Sequence, residues 1–387
     1  MLFYDCKSHI TFRKRSPGCF KDTALEEFIP LSLYTVVYYN VLLITVFAAY
    51  LHSSTHTLAS VESNGKLRFL GVIFVAFVIF FIGLRPIDPV FIDMTMYNHM
   101  FNLFAEGDMS VLETEGDIGF LYFIQFCSKI MTPELFFLFC AVIYIVPLVI
   151  ACVRWFKGNW FYGFLMLVIS FSFLGYGVNG IRNGMATSIF LLAVSFYNRR
   201  VIMALLLLLS FSFHKSMSLP IAGFCITFFY NDMRTYLKTW FFAIPISLIA
   251  GSFFVAFFSS LGFDDSRVGI YFSEDVVENT VTGFRWDFIL YSAIGIFAGW
   301  YYIVKQKFQD RLYIQLYNVF VIANMFWLLI IRASFSNRFA YLSWFLLAII
   351  VVYPLLKVKL MPNQHLILGR IVFIYFMFTY VMNFILF

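Results

Sequence analysis

Charge is what this chain has least of. Only 12% of its 387 residues are Asp, Glu, Lys or Arg, whereas 62% are hydrophobic. Soluble proteins average about 45–50% apolar residues, so the excess must face lipid or the inside of a large helix bundle, with no room for a separate soluble domain. Other absences narrow the field. The six cysteines show no CxxC or other ligand spacing. Cys127, Cys140, Cys152 and Cys225 lie in or beside apolar runs, as packing residues do. Cys6 and Cys19 would pair only if the N-terminus faced an oxidising compartment. There is no DxD motif, Asp264-Asp265 being an adjacent pair. No cleavable signal is visible, because the first apolar block begins near Leu31 and lacks a small-residue cleavage site. No internal repeat is evident, which argues against ordinary transporter folds. The net charge of +6 comes from basic residues scattered in ones and twos at segment ends, so nucleic acid is not an expected partner.

What the chain does have is a series of apolar blocks, continuous rather than alternating, which predicts helices and not a barrel. They run roughly 31–51, 69–84, 133–153, 159–178, 182–198, 200–213, 216–230, 237–260, 287–304, 312–331, 337–356 and 366–386. Several are near the short end of the usual span length of about 17–25 residues. The expected fold is therefore all-α, a polytopic transmembrane helical bundle of about twelve spans. A 1–30 N-terminal extension precedes a single integral membrane domain over 31–387. Lys and Arg in short loops set the orientation. Lys66 and Arg68, Arg154 and Lys157, Arg199 and Arg200, Arg234 and Lys238, Lys305 with Lys307 and Arg311, and Lys357 with Lys359 share one face, assigned to the cytoplasm. The acid-rich loops 85–118 and 261–286 then lie outside. Segment 1–30 runs against this parity with Arg13, Lys14 and Arg15, although Asp5, Asp22, Glu26 and Glu27 leave it nearly neutral.

Within loop 85–118, Ile92, Met96, Met100 and Leu103 recur at about helical spacing. They predict an extracytoplasmic amphipathic helix over 91–105, lying on the membrane surface. The apolar piece 119–130 is either a half-helix dipping into the bundle or the first part of a kinked span. Loop 261–286 reads equally as a lid or as a solvated linker.

Against this background seven cations stand out. Arg85, Arg182, Lys215, Arg267, Arg285, Arg332 and Arg338 cluster at non-cytoplasmic segment ends, with His214 beside Lys215. A charge within a membrane segment costs roughly 2.5–3.5 kcal/mol on insertion scales, and such residues mark pathways or sites. A ring of arginines on the outer face points to an anionic ligand, with phosphate the leading candidate. The strongest local signal is Gly175-Tyr176-Gly177-Val178-Asn179-Gly180-Ile181-Arg182-Asn183-Gly184. Its glycines permit close backbone approach and deliver Arg182 to the first turn of the next helix, where free N–H groups suit phosphate. The guanidinium fork adds bidentate contact that Lys cannot reproduce. The plainer alternative is a glycine-rich junction whose Arg pairs with an external acid.

Phe213-His214-Lys215-Ser216 joins two apolar blocks at the same face, either as a diphosphate or proton-transfer site or as a polar hairpin tip. Arg85 ends a helix, and Asp93 and Tyr97, four apart, share one face of the next. Arg332 and Arg338 flank another outer turn, with Tyr341 one turn into the following span. The acids Glu113, Glu115 and Asp117 lack the full calcium-loop pattern, so no metal site is expected. The 21% aromatic content reads as lipid-facing packing and interfacial belts more than as sugar-stacking surface.

In order along the chain come Arg85, Asp93-x-x-x-Tyr97, Asp117-Ile118-Gly119-Phe120, Asn179-Gly180-Ile181-Arg182 with Ala186, Phe213-His214-Lys215-Ser216 and Arg338-x-x-Tyr341. This set resembles the EpsG-like branch of the Wzy polysaccharide polymerases, over roughly residues 31–360. The family usually carries Glu where Asp117 stands, and it starts without the 30-residue extension. The resemblance implies a GT-C-like bundle in the bacterial cytoplasmic (inner) membrane, working on its outer side. It implies a glycosyltransferase that joins undecaprenyl-diphosphate-linked oligosaccharide units, donor and acceptor alike, into O-antigen, capsule or exopolysaccharide. Membrane lipid and a chain-length regulator protein are the other partners it suggests, and no cofactor is expected. Arg85, Arg182, Lys215, Arg338 and Arg332 would bind diphosphate. Asp93, His214 and Asp117 are the base candidates, supported by Tyr97, Asn179 and Tyr341. A single-sugar transferase is the alternative, ahead of a lipid-linked oligosaccharide flippase and a membrane O-acetyltransferase.

The topology has a direct check. Single cysteines at Ser110 and Ser273, in a background stripped of native cysteines, should react with an impermeant thiol reagent in intact cells. Labelling only after permeabilisation would put the arginines on the cytoplasmic face.

Overall fold

The computed structural model describes residues 29–58, 65–113, 116–260, 284–333 and 337–385. The possible Cys6–Cys19 pair, Arg267 and the nature of loop 261–286 fall almost wholly outside these residues. The described chain is helical, with no strand among the described residues. Lipid offers the backbone no hydrogen-bond partner, so long apolar runs must satisfy their own N–H and C=O groups, and the helix does this within one segment.

In chain order the helices are α1 (Leu31–Thr55), α2 (Gly65–Gly83), α3 (Ile92–Ala105), α4 (Ile118–Ser128), α5 (Pro133–Phe156), α6 (Trp160–Val168), α7 (Phe173–Val178), α8 (Ile181–Ser195), α9 (Arg200–Phe213), α10 (Ser218–Phe229), α11 (Met233–Ser260), α12 (Trp286–Trp300), α13 (Arg311–Leu329), α14 (Asn337–Lys357) and α15 (Gln364–Tyr380). Local chemistry sets several starts. Thr132 caps α5 with Pro133 at its first position, and Asp310 accepts the Tyr313 N–H at 2.9 Å to cap α13.

Seven stretches among the described residues are long and apolar enough to cross a membrane, against the expected count of about twelve. They are α1, α5 running on through α6, most of α11, α12 with its continuation to Lys305, α13, α14 and α15. The difference lies in length. The helices beginning at Ile181, Arg200 and Lys215 are apolar but only 10–17 residues long, as is the part of α2 from Arg68 to Gly83. The 14 residues of α9 reach about 21 Å, short of a hydrocarbon core of about 30 Å. Block 159–178 is broken at Ser170–Ser172 into α6 and α7. Segment 119–130 is the separate 11-residue helix α4.

The amphipathic helix forms where the spacing predicts, and a neighbouring, more aromatic face docks on the protein. Met94, Tyr97, Phe101 and Phe104 are buried, while Ile92 is exposed and Met96, Met100 and Leu103 are half-buried. Aromatic packing sets the rotation: Tyr97 stacks edge-on against Phe120 at 5.0 Å, and Phe101 meets Phe136 at 5.3 Å. Ile92, Met96, Met100 and Leu103 are therefore the rim of the docked face and not its centre.

Helix α14 is the most enclosed of the long helices, packing on α13, α12 and α6. Around it α11, α12, α13 and α14 are tied by one buried polar network. Asn324 accepts the Trp240 indole N–H at 2.8 Å and donates to Ser292 at 2.8 Å and Ser343 at 3.0 Å. Trp344 donates to the same Ser292 at 2.8 Å. The second half of the bundle is α2, α5, α8 and α9, packed in that sequence, with α3 and α4 against one end.

The basic loops gather at the other end. Arg154 donates to the Ser195 carbonyl at 3.2 Å, Lys357 to that of Trp155 at 3.2 Å, and Arg200 and Arg311 both approach the Phe228 ring.

The polar network should be felt in stability. Asn324→Leu strands the Trp240 N–H without an acceptor, and a buried unsatisfied donor costs about 1–3 kcal/mol. Thermal unfolding in detergent should begin several degrees lower than in wild type, and an unchanged transition would show that the network contributes nothing net.

Candidate functional site

The opposite end of the bundle collects most of the residues picked out above, and a single carboxylate joins them. Asp117 occupies the N-cap position of α4, yet its side chain does not cap that helix. Its Oδ2 accepts Arg182 Nη1 at 2.7 Å, with the two side chains only 16% and 5% exposed. Its Oδ1 accepts the backbone N–H of Lys215 at 2.8 Å. One acid thus links the start of α4, the first turn of α8 and the turn between α9 and α10.

A glycine allows this approach. A Cβ on Gly119 would lie 2.8 Å from the Ser212 carbonyl and closer still to its side chain, so α4 can touch the end of α9 only where that position carries hydrogen. Gly184 does the same for α8 against α7, where a Cβ would sit 2.7 Å from the Tyr176 carbonyl oxygen. With Gly180 as its N-cap, α8 then presents Arg182 in its first turn, as the sequence predicts. The anion at that helix start is the protein's own carboxylate, so the plainer alternative, Arg182 paired with an acid, holds for Asp117.

Around the pair the guanidinium carbon lies 5.6 Å from the Tyr97 ring centroid and 6.0 Å from that of Phe120. Asp93 is within electrostatic reach of Arg182 and accepts from the Tyr97 hydroxyl at 3.5 Å, a long contact. His214 Nδ1 accepts the Ser216 N–H at 3.2 Å and lies 2.9 Å from its hydroxyl. That contact fixes Nδ1 as an acceptor, so a neutral imidazole carries its proton on Nε2. The Lys215 side chain is exposed.

Arg85 is held differently. It is 3% exposed and donates to the carbonyls of Ile82 and of Val178, the latter at 3.1 Å, with Phe91 and Phe137 beside it. No carboxylate among the described residues forms a salt bridge with it, and its Nε has no hydrogen-bond partner. Asn179 caps the end of α7, and its buried Oδ1 has no partner either.

Two of the predicted cations stand apart from this cluster. Arg332 donates to the Leu248 carbonyl on α11 at 3.1 Å, and Arg285 pairs with its neighbour Asp287 at 2.6 Å. Arg338 is exposed at the start of α14. One turn on, Tyr341 meets Tyr176 of α7 edge-on at 5.5 Å, which joins α14 to the glycine-rich hairpin. Asp117 is committed to Arg182 and Lys215, and no cluster of three His, Cys, Asp or Glu side chains among the described residues could hold a metal ion. The side chains of Glu113 and Glu115 lie outside the described residues.

Sequence reasoning passed over Tyr176 and Asn183 as site residues. Tyr176 lines a narrow crevice with Arg85, and Asn183, next in sequence to Arg182, lies against the Tyr176 hydroxyl. The signal was available: Tyr176, Asn179 and Asn183 are spaced three and four apart between glycines.

The sequence model of the EpsG family matches residues 68–386, most of the chain and every element of this cluster. The chain belongs to the EpsG family. No curated protein and no solved structure matches it. EpsG membership, with the long apolar helices, makes this a membrane protein with a polysaccharide-polymerase-like role in polysaccharide biosynthesis.

Two substitutions test the central pair. Asp117→Asn keeps an acceptor for the Lys215 N–H but leaves Arg182 without its counter-charge, and breaking a buried pair costs about 3 kcal/mol. The variant should therefore melt earlier than wild type. Arg182→Lys keeps the charge but loses the planar fork, and should abolish polymer formation while the protein still accumulates in the membrane. Full activity in Arg182→Lys would reduce the site to a point charge.

Proposed function

We propose that this protein joins undecaprenyl-diphosphate-linked oligosaccharide units into O-antigen, capsule or exopolysaccharide on the outer side of the bacterial cytoplasmic membrane. The observation that supports this best is the junction of Arg182, Asp117 and the Lys215 turn, gathered with Asp93, Tyr97 and His214 at the end of the bundle away from the basic loops. The growing chain is the donor and a newly flipped unit the acceptor. An acceptor hydroxyl oxygen bonds to the anomeric carbon at the chain's reducing end. The bond from that carbon to the diphosphate oxygen breaks, undecaprenyl diphosphate leaves as an anion, and the hydroxyl proton passes to a base.

Negative charge accumulates on the departing diphosphate, and a preorganised donor in a water-poor site lowers such a barrier by about 2.7–4 kcal/mol. Arg182 spends one Nη on Asp117 and keeps a planar fork suited to phosphate. Asp117 holds that fork in place, and the exposed Lys215 and Arg338 attract the second diphosphate. Asp93 is the assigned base, because both Asp117 oxygens already accept hydrogen bonds and His214 Nδ1 is taken by Ser216. His214 then acts as a donor from Nε2. No nucleotide is needed, since the activated sugar arrives joined to its lipid.

A deletion strain tests the reading. Its surface glycan, examined by mass spectrometry, should shrink to a core carrying a single complete repeat unit. A unit lacking one sugar would indicate a single-sugar transferase, a missing unit would indicate a flippase, and either would sink the polymerase assignment.

A further inference from the structure

At the end of the bundle that carries the basic loops, two arginines share one ring. Arg200, the first residue of α9, lies over the Phe228 ring at 4.6 Å and over the Tyr197 ring at 4.5 Å. Arg311, the first residue of α13, approaches the same Phe228 ring at 5.8 Å. Neither forms a salt bridge among the described residues. The acids of the adjoining loops are committed elsewhere: Asp232 accepts the Thr235 N–H and hydroxyl, and Asp310 caps α13 through the Tyr313 N–H. One turn along from Phe228 and Arg311, Gln315 donates to the Phe224 carbonyl at 2.9 Å, and Asn318 donates to Asn231 Oδ1 at 2.7 Å. These bonds fasten α10 to α13 and so hold the ring and Arg311 in register.

Two guanidinium groups drawn to one ring repel each other, and a cation at a helix start also opposes the helix dipole. Membrane orientation asks for Lys or Arg in these loops, but it does not ask two of them to converge on a single phenyl ring. A guanidinium set over a ring keeps its edge N–H donors free, and those donors suit a phosphate. The surroundings say that this phosphate belongs to a lipid. Both arginines are exposed, and the helix that Arg200 opens carries Val201, Leu205 and Leu208 at 73%, 62% and 65% exposure. Ile226 and Phe229 of α10 are exposed beside Phe228. Such apolar strips face acyl chains. The 14 residues of α9 reach only about 21 Å, so a bilayer thins here and brings its phosphate layer to Arg200.

We propose that Arg200 and Arg311, on their Phe228 platform, hold the phosphate of an anionic phospholipid whose acyl chains lie along α9 and α10. The phosphate sits between the two guanidinium groups, removes their repulsion, and accepts charge-assisted hydrogen bonds from both. A zwitterionic lipid fits less well, because the ammonium beside its phosphate is repelled by the same two cations. The bound lipid anchors one end of α9, and the other end of that helix leads into the His214–Lys215 turn. None of this depends on the polymerase reading.

The test uses the full chain, stripped of lipid in a neutral detergent and titrated with phosphatidylglycerol or phosphatidylcholine, with bound lipids counted by native mass spectrometry. One phosphatidylglycerol should bind about tenfold more tightly than phosphatidylcholine, the size of effect expected from a charge-assisted contact. Arg200→Gln and Arg311→Gln should each remove most of that preference. Phe228→Leu should do the same, although it keeps both charges. Arg234→Gln and Lys238→Gln change basic residues of the same end that do not lie over the ring, and should leave the preference largely intact. Equal affinity for the two lipids, an unchanged preference in Phe228→Leu, or equal losses in Arg234→Gln and Arg200→Gln would overturn the proposal, since each describes general attraction to a basic surface. Inorganic phosphate separates the two sources of the anion. Nanodiscs of phosphatidylglycerol should raise the melting temperature of the wild type but not of the Arg200→Gln, Arg311→Gln double variant. A matching rise on adding inorganic phosphate to phosphatidylcholine nanodiscs would assign the pair to a soluble anion and overturn the lipid site.

Discussion

A carboxylate placed among apolar helices must find counter-charge and donors, and Asp117 finds both in residues far along the chain. The pairing of Asp117 with Arg182 and with the Lys215 amide is the constraint on which this end of the protein depends. It brings three separate turns to one point, and each turn carries a group that chemistry on a diphosphate would use. Close packing makes it possible: with a methyl group at position 119, α4 would stand off from Ser212 and the carboxylate would miss the amide.

The two arginines nearest the centre illustrate opposite solutions to burial. Arg182 is compensated by an acid and sits at a helix start, so it is held ready with its charge already balanced. Arg85 is buried more deeply against carbonyl oxygens and rings, with one nitrogen unanswered. A paired cation positions and orients, whereas Arg85 has no direct salt bridge among the described residues and feels Asp93 through space.

Much of this end was legible in the chain as written. Scarce charges in an apolar sequence identify themselves, since each is costly unless it has a role, and Arg85, Asp93, Asp117, Arg182 and His214 do come together. The glycine run announced its close approach to α8. Other features were not legible. The spacing of Ile92, Met96, Met100 and Leu103 marked α3 as amphipathic, whereas its docking through Tyr97 and Phe101 onto α4 and α5 was visible only in the fold. Composition marks the apolar helices, and among the described residues seven are also long enough to cross a bilayer, which fixes no count for the whole chain.

The amino-acid order settled what kind of object this is: an apolar helical membrane protein with its basic loops at one end and a sparse set of polar residues at the other. Hydrophobic patterning is a local property, and helix backbones satisfy themselves within a segment, so both can be read along one line. Which acid answers Arg182, and that Arg85 grips the Ile82 and Val178 carbonyls beside Tyr176, were decided only when segments from α2 to α10 came together in space. Electrostatic pairing and steric fit act across distance in the fold and leave no periodic trace in the sequence.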